Sequence, residues 1–324
     1  MNVAVDETGH GEVTADKAEV DEGGNVTVTY TADTYQNISN EAVAGFYEFV
    51  QWSDGNTENP RTISGVSANI NMTAVTALKT ALELRDDMKD DYYEAMAEAY
   101  YDGGAKQLTS VTYRRTLASN QWAAFSLPFD LEIEDTELDG KVYAYTGATG
   151  NAEDGLNVNF AKHGSAIEAG KPYLFYSPTA LTNPTFTTNG GTALQLTDAI
   201  NTADYEDGQT GSVRFTATNR RTALPGSSSP DWKKYIFLAG NRLYYPNSAG
   251  TTMRPFRAYF HVDQAGAGIA PRVRIVAGGQ IVTELETVTE AGGTNSEVRK
   301  YVENGVLVIE RNGIRYNATG AKMN

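Results

Sequence analysis

Three histidines and a run of carboxylates are the residues of this chain whose types are best suited to chemistry. His10, His163 and His261 lie far apart, and none has another histidine or a carboxylate at the spacing of a metal site. The chain has no cysteine, which excludes disulfides, thiolate metal ligands and cysteine nucleophiles. It also lacks the HExxH, GxSxG and P-loop patterns. We therefore predict no catalytic residue, no metal and no cofactor, and a structural role for His261.

Glycoside hydrolysis is a second chemistry to weigh, because it needs two carboxylates placed across a sugar. One segment is rich in acids: Asp130, Glu132, Glu134, Asp135, Glu137 and Asp139. Alternation along a strand would place these side chains on a solvated face or edge. The chain has 41 acidic residues, so such pairs arise easily. We predict a solvated face here rather than a catalytic pair.

Residues 54–59 place side-chain oxygens at alternating positions, somewhat as a calcium-binding loop does. The bidentate glutamate that such a loop carries near its end is missing at the expected offset. A tight turn is therefore the predicted structure of this segment, and we expect no calcium site there.

Aromatic residues are the remaining candidates for a binding site. Sugars stack their apolar side on an aromatic ring, and tryptophan and tyrosine offer large rigid faces for this. Trp232 lies beside the loop 225–231, and Tyr245 precedes a proline at the end of a predicted strand. Loops often carry function, so these two are the predicted ligand-binding residues. Packing at the rim of a β-sandwich is the alternative role for both, and it is the more usual one.

Charge is unevenly distributed along the 324 residues, whose net charge is −15. Residues 1–107 hold 20 acidic and 6 basic residues, a net charge of −14, and the rest is close to neutral. An acidic front end repels phosphate, so we predict no nucleic-acid partner. No apolar run approaches the ~20 residues that span a bilayer. The amino end lacks the pattern of a signal peptide, so an exported form would need sequence ahead of Met1.

The front of the chain has the patterns of a small β domain over residues 1–76. Residues 26–30 alternate apolar and polar side chains, which predicts a half-buried strand. Tyr47, Phe49 and Trp52 supply core bulk, and residues 69–74 form the closing strand. From residue 77 to 106, apolar residues recur at three- and four-residue spacing, which predicts an amphipathic helix of about seven turns over 77–102. Gly103 and Gly104 would end it.

Residues 107–278 are predicted to form a β-sandwich or jelly-roll-like domain. The predicted strands are 110–116, 122–127, 141–145, 156–160, 172–176, 212–218, 234–238, 242–245, 257–262 and 272–276. Gly240 and Asn241 mark a hairpin turn between two of them. No helical pattern alternates with these strands, which disfavours a parallel α/β sheet.

Residues 279–324 are predicted to form a polar linker and a closing hairpin. Glycines and acids after Gly279 are typical of a linker. The hairpin would pair residues 306–309 with 314–316.

Three parts of the chain resemble segments of known bacterial families. Residues 11–60, with GEVTADK, VTVTYTA and YEFVQWSDG, resemble the divergent listeria-internalin B-type repeat of surface proteins, over about 70 residues in all. The segments 119–130, 167–173 and 256–261 resemble blocks of secreted Bacteroides and Prevotella proteins, and residues 300–320 resemble the terminus of exported Bacteroidota proteins. With the patterns above, the predicted chain is mainly β and consists of a repeat domain, one linking helix, a sandwich and a tail. That tail would be a sorting or docking signal or, equally well, a strand pair completing the sheet. The resemblance itself implies location more than activity.

We expect from this a non-enzymatic, modular cell-surface protein that acts in adhesion or scaffolding. The alternative is a carbohydrate-binding accessory protein of a surface glycan-utilisation system, and a third hypothesis is an enzyme acting on glycans. The expected location is extracellular or at the cell surface. The expected partner is a surface glycan or a host or bacterial surface protein, with no membrane-spanning segment.

Overall fold

A computed structural model describes residues 1–6, 8–101, 106–134, 136–151, 155–164, 166–187, 192–197, 204–210, 213–262, 273–284, 298–303, 306–311 and 314–317. The chain divides into two compact units, Met1–Glu286 and Thr287–Asn324. Strands dominate both units, and the described residues contain one α-helix. The predicted mainly β fold is therefore confirmed.

Short strands and the helix make up the front of the first unit. They are β1 (Asn2–Val5), β2 (Glu12–Ala15), β3 (Val26–Thr31), β4 (Thr34–Gln36), β5 (Ala42–Ala44), β6 (Tyr47–Trp52), β7 (Arg61–Ile63), β8 (Asn71–Leu78), β9 (Ala81–Arg85) and α1 (Asp90–Tyr100). The orders β1-β8-β6 and β2-β3-β7 give two three-stranded sheets. Side chains alternate along β3 and β8, so every second residue of these strands points into a core that the two sheets share. That core surrounds the fully buried Trp52.

The predicted helix over 77–106 is wrong in its first half. Residues up to Leu78 belong to β8, and Ala81–Arg85 form β9, which pairs in parallel with a later strand. Leu82 and Leu84 are buried while their neighbours are more exposed, which is the two-residue period of a strand. A four-residue repeat fits both periods, so Leu78 and Leu82 alone could not separate helix from strand. The predicted stop at Gly103 and Gly104 lies outside the described residues.

Helix α1 closes the edge of β9 with tyrosine hydroxyls. Tyr92 donates to the carbonyl of Glu83 (2.8 Å) and Tyr93 to that of Arg85 (2.9 Å). Tyr100 donates to the carbonyl just before the strand, that of Lys79 (3.1 Å). Exposed, unpaired carbonyls at a sheet edge allow another chain to pair with it, and buried carbonyls without a hydrogen bond destabilise the fold. The hydroxyls therefore replace a missing neighbour strand.

The rest of the first unit is built from further strands. They are β10 (Gln107–Leu108), β11 (Ser110–Arg114), β12 (Thr116–Leu117), β13 (Ala123–Phe125), β14 (Leu131–Glu132), β15 (Val142–Asn151), β16 (Gly155–His163), β17 (Ala166–Ile167), β18 (Tyr173–Phe175), β19 (Leu181–Thr182), β20 (Thr185–Thr187), β21 (Leu194–Gln195), β22 (Asp204–Thr210), β23 (Val213–Thr218), β24 (Thr222–Leu224), β25 (Tyr235–Ala239), β26 (Arg242–Tyr244), β27 (Thr251–Met253), β28 (Arg257–Val262), β29 (Val273–Ala277) and β30 (Gln280–Glu284). Each of the ten strands predicted in this part has a counterpart here.

A sandwich of two sheets forms the centre of this unit. One sheet has the order β13-β18-β15-β16-β29-β30 and the other the order β22-β23-β28-β25-β26. Their facing side chains share one apolar core, in which Phe160 of the first sheet contacts Phe215 and Phe260 of the second. The predicted sandwich is confirmed. It contains parallel pairing between β16 and β29, within an otherwise antiparallel arrangement.

The first sheet of the sandwich is buried on both faces along β18. Tyr173 and Phe175 point into a second core, which also contains α1, β9 and β11, whereas Leu174 points between the sheets. All three residues are fully buried. The helix is therefore packed into the body of the unit and is not a free linker between domains.

The predicted hairpin at Gly240 and Asn241 is confirmed, and it also joins the two sheets. Both residues have positive φ (55° and 64°), as a two-residue turn of this type needs. The Asn241 side chain accepts from the backbone N–H of Trp122 (2.7 Å) and donates to the carbonyl of Asn120 (2.9 Å). Its own carbonyl accepts from the hydroxyl of Thr283 (2.6 Å).

The carboxyl-terminal prediction is correct for the hairpin and wrong for the start of the linker. Gln280–Glu284 form β30, which pairs with β29, because the chain reverses at Gly278 and Gly279 and extends the sheet. The second unit is a three-stranded antiparallel sheet, β31 (Val298–Glu303), β32 (Val306–Arg311) and β33 (Ile314–Asn317). It contains the predicted pairing of β32 with β33 and adds β31.

We predict that Tyr93→Phe lowers the free energy of unfolding by about 1–3 kcal/mol. The Tyr93 hydroxyl accepts from the N–H of Met88 (3.2 Å) and donates to the carbonyl of Arg85, so the change leaves two backbone groups unpaired near the core. Urea unfolding measures the effect. Tyr244→Phe, at an exposed tyrosine, is the control and should change stability by less than ~0.5 kcal/mol. Equal values for the two variants would contradict the role of the hydroxyl.

Candidate functional site

The five-stranded sheet has one buried face and one outer face. Ile236, Leu243 and Phe260 point into the sandwich core and are almost fully buried. Side chains alternate along a strand, so the residues on either side of these three project from the opposite face. The candidate site is built on that outer face.

Aromatic side chains stand in cross-strand register on the outer face. Phe237 of β25 lies opposite Tyr259 of β28 on one side and Tyr244 of β26 on the other. Tyr235 lies opposite His261 in the neighbouring row. We call these five residues the aromatic face. The three strands contain the sequences YIF, LYY and AYFH. Side-chain alternation along each strand and the pairing register place the outward-facing rings in one array.

The rings of the aromatic face touch one another. Phe237 and Tyr244 are stacked, with ring centroids 5.9 Å apart and planes at 25°. Tyr235 contacts Tyr259 at 5.8 Å and His261 at 4.8 Å. Such pairs contribute about 0.5–1.5 kcal/mol each beyond burial. The contacts hold the rings as a rigid surface.

One end of the aromatic face is covered and the other is open. Tyr259 is 6% exposed because Leu224 and Met253 of the β24–β27 ribbon pack on it. Tyr235 and Phe237 are half-buried, and Tyr244 is 37% exposed. His261 accepts a hydrogen bond from the guanidinium of Arg214 at Nδ1 (2.9 Å). The open part therefore combines ring faces with polar groups.

A groove adjoins the aromatic face where β25 and β28 separate. Their pairing ends at Phe237 and Tyr259, and the strands diverge beyond it. The cavity between them has a volume of about 320 Å³. Its lining consists of Ala124, Phe237, Leu238, Ala239, Thr251, Thr252, Met253, Arg254, Arg257 and Ala258. Phe237 belongs to both the groove and the aromatic face.

A buried carboxylate holds the two arginines of the groove. Asp86, 5% exposed, follows β9 and accepts from Arg257 through Nε at 3.1 Å and through a second, shorter contact. Arg254 reaches the other carboxylate oxygen at 3.5 Å. The backbone is fixed as well, because the buried Thr218 hydroxyl donates to the carbonyl of Arg254 (2.8 Å) and accepts from the N–H of Arg257 (3.1 Å).

A third arginine lies behind the wall of the groove. Arg115 donates to the Tyr113 hydroxyl and to the carbonyl of Ala124, both at 3.0 Å. Burial lowers the pKa of the Arg115 guanidinium, since removal from water disfavours its charge. Tyr113 in turn donates to the carbonyl of Phe256 (3.0 Å), a residue held at a positive φ of 59° between the two groove arginines. The hydrogen bonds of Thr218 and of Tyr113 thus hold the backbone that carries Arg254 and Arg257.

The predicted ligand-binding residues lie together, away from the aromatic face. Trp232 contacts Tyr245 edge to face, with centroids 5.8 Å apart, and the Lys233 ammonium lies 5.2 Å from the Trp232 ring centre. Tyr245 is 8% exposed, and burial raises the pKa of its hydroxyl. Both residues pack against the sandwich core, which is the alternative role considered for them. Ligand binding by this pair stays a prediction.

The histidines and carboxylates are dispersed, as the sequence indicates. His10 stacks on Tyr47 and lies 3.2 Å from Asp33, and His163 bonds the carbonyl of Ala166. The described acids of the run at 130–139 are all exposed. Within the described residues, no three His, Asp or Glu side chains are grouped to hold a metal ion.

The segment 54–59 is a tight turn. Asp54 accepts from the N–H of Asn56 and from Arg61 (2.6 Å). Asn59 bonds both the N–H and the carbonyl of Tyr30 (2.8 and 2.9 Å). The side-chain oxygens of Asp54 and Asn59 are thus used within the protein.

No family model, curated protein or solved structure matches the chain. Among the described helical residues, none form a segment long and apolar enough to cross a membrane. The function must therefore be inferred from the chemistry of the site.

Sequence reasoning missed the aromatic face and the groove. Tyr235, Phe237 and Tyr259 lie in predicted strands, but only the pairing register shows that they share the outer face. Of the three strands, only β25 alternates aromatic and aliphatic residues, so the sequence carries no more than a partial signal for the array. For Asp86 and Arg257, which lie 171 residues apart, no local signal exists.

We predict that Asp86→Ala lowers the free energy of unfolding by about 2–3 kcal/mol. The substitution removes a buried carboxylate together with its charge-assisted hydrogen bonds to the two arginines. Asp231→Ala is the control, since Asp231 pairs with Lys234 at 2.7 Å but is 55% exposed. Its effect should stay below ~1 kcal/mol. Chemical denaturation of both variants measures the difference. A loss for Asp86→Ala no larger than the control would contradict the structural role of the ion pair.

Proposed function

We propose that the protein is a non-enzymatic adhesion protein that binds carbohydrate through the aromatic face. The observation that supports this best is the cross-strand array of Phe237, Tyr244 and Tyr235, which is rigid and open at the Tyr244 end. The two sugar-binding residues expected from the sequence, Trp232 and Tyr245, are set back against the core. The aromatic face is thus the better candidate surface.

The chemistry of the aromatic face suits a saccharide. One side of a pyranose ring presents C–H groups, which stack on aromatic rings, and its rim presents hydroxyl groups that need hydrogen-bond partners. Phe237 and Tyr244 supply the ring surface, and the Tyr244 hydroxyl, His261 and Arg214 supply polar groups. Because the rings lie on a regular sheet rather than in a deep pocket, we infer that the ligand is a chain of sugars lying along the surface.

We place this activity at the outside of a bacterial cell. The resemblance of residues 11–60 to a surface-protein repeat supports that location, as do the segments similar to secreted proteins. In this proposal the front β domain acts as a spacer and the sandwich presents the aromatic face. An accessory role in glycan utilisation is the more specific form of the same proposal.

We predict that the purified chain binds a subset of a glycan array containing mucin and plant polysaccharides. Tyr244→Ala should weaken binding to the best ligand about tenfold, because one stacking contact of about 1.4 kcal/mol is removed. Tyr244→Phe keeps the ring and should bind within about threefold of the parent chain. Titration calorimetry with the array ligand measures all three.

Trp232→Ala separates the aromatic face from the site first expected from the sequence. It should leave affinity unchanged if the aromatic face binds the sugar. Loss of binding in Trp232→Ala with retention in Tyr244→Ala would overturn the assignment. A blank array from folded protein would reject carbohydrate binding and favour adhesion through protein contacts.

A further inference from the structure

The groove beside the aromatic face holds more positive than negative charge. Arg254 and Arg257 line the groove and share one carboxylate partner, that of Asp86, while Arg115 lies behind the wall. Arg115 donates to a hydroxyl and a carbonyl, both of them neutral groups. Asp86 therefore balances one of the two positive charges that line the groove, and Arg115 adds a third positive charge behind the wall. Charges interact more strongly in such a partly desolvated place than in water, so the excess favours an added anion.

Arg254 is the arginine able to reach an incoming group. Its side chain is 47% exposed, and its contact with Asp86 is long at 3.5 Å. A guanidinium carries five N–H donors, so most of those on Arg254 remain available to a ligand. Arg257, 29% exposed, is held to Asp86 by two shorter contacts. Arg257 therefore contributes positive electrostatic potential to the groove, and Arg254 can donate two parallel hydrogen bonds to a ligand.

The groove is small in comparison with the chain of sugars proposed as the ligand, so we infer that it holds part of that ligand. Its volume of about 320 Å³ lies at the small end of ligand pockets. Phe237 forms part of its wall and is also the central ring of the aromatic face. A sugar stacked on Phe237 and Tyr244 can therefore extend one ring substituent into the groove.

We propose that the groove binds an anionic group, a carboxylate or a sulfate, carried by the saccharide on the aromatic face. This inference rests on the proposed function and specifies its ligand class as acidic glycans. The planar fork of Arg254 matches either anion with two parallel hydrogen bonds. The front of the chain is strongly acidic, so general attraction of polyanions does not explain such selectivity.

The test compares acidic glycans with their neutral counterparts on the full chain. The probes are polygalacturonate and its methyl ester, and dextran sulfate and dextran, together with uronic-acid, sialylated and sulfated members of the array. We expect at least one acidic probe to bind ten times tighter than its neutral counterpart. The polygalacturonate and dextran sulfate pairs tell carboxylate from sulfate.

Arg254→Gln should bring that ratio below about two, while Asp86 keeps its contacts with Arg257. Lys162→Gln removes one exposed positive charge on the other sheet and should leave the ratio unchanged. Equal binding of acidic and neutral probes, or an unchanged ratio in Arg254→Gln, would overturn the acidic-ligand inference alone. Absence of binding to every probe would overturn the proposed function and this inference with it.

Discussion

The ion pair between Asp86 and the arginines 254 and 257 is the constraint on which the arrangement of the first unit depends. It joins residues 168 and 171 positions apart and ties the end of β9 to the start of β28. A buried carboxylate without these partners would be costly, so strand and sandwich must meet here. The same contacts leave Arg254 pointing at the groove. The Asp86 carboxylate therefore both stabilises the fold and positions the arginines of the candidate site.

The elements that pack on each sheet determine which of its faces and edges remain exposed to solvent. Helix α1 closes the edge of β9 with Tyr92, Tyr93 and Tyr100, and the first sheet of the sandwich is buried on both faces along β18. The β24–β27 ribbon covers only part of the five-stranded sheet. Tyr235 and Phe237 pack against the same cluster and are half-buried, and Tyr244 is exposed. We regard this incomplete coverage as the basis of the proposed binding role.

Local sequence patterns predicted most strands and one turn, because residues close in sequence determine these elements. Alternation located the strands of the sandwich, and Gly240 with Asn241 located a turn that needs positive φ at both positions. The helix was misplaced because a four-residue repeat at Leu78 and Leu82 also satisfies the period of a strand. Strand pairing, face and the partners of Asp86 depend on residues distant in sequence. Consequently the aromatic face and the groove could be recognised only in three dimensions.

Hydrogen–deuterium exchange of the full chain, with and without a saturating glycan from the array, is the most direct test of binding at the aromatic face. We expect the glycan to slow exchange in peptides covering residues 235–244 and 251–259, with little change in residues 1–78. Protection confined to the segment around Trp232, or to the front β domain, would contradict the assignment of binding to the aromatic face.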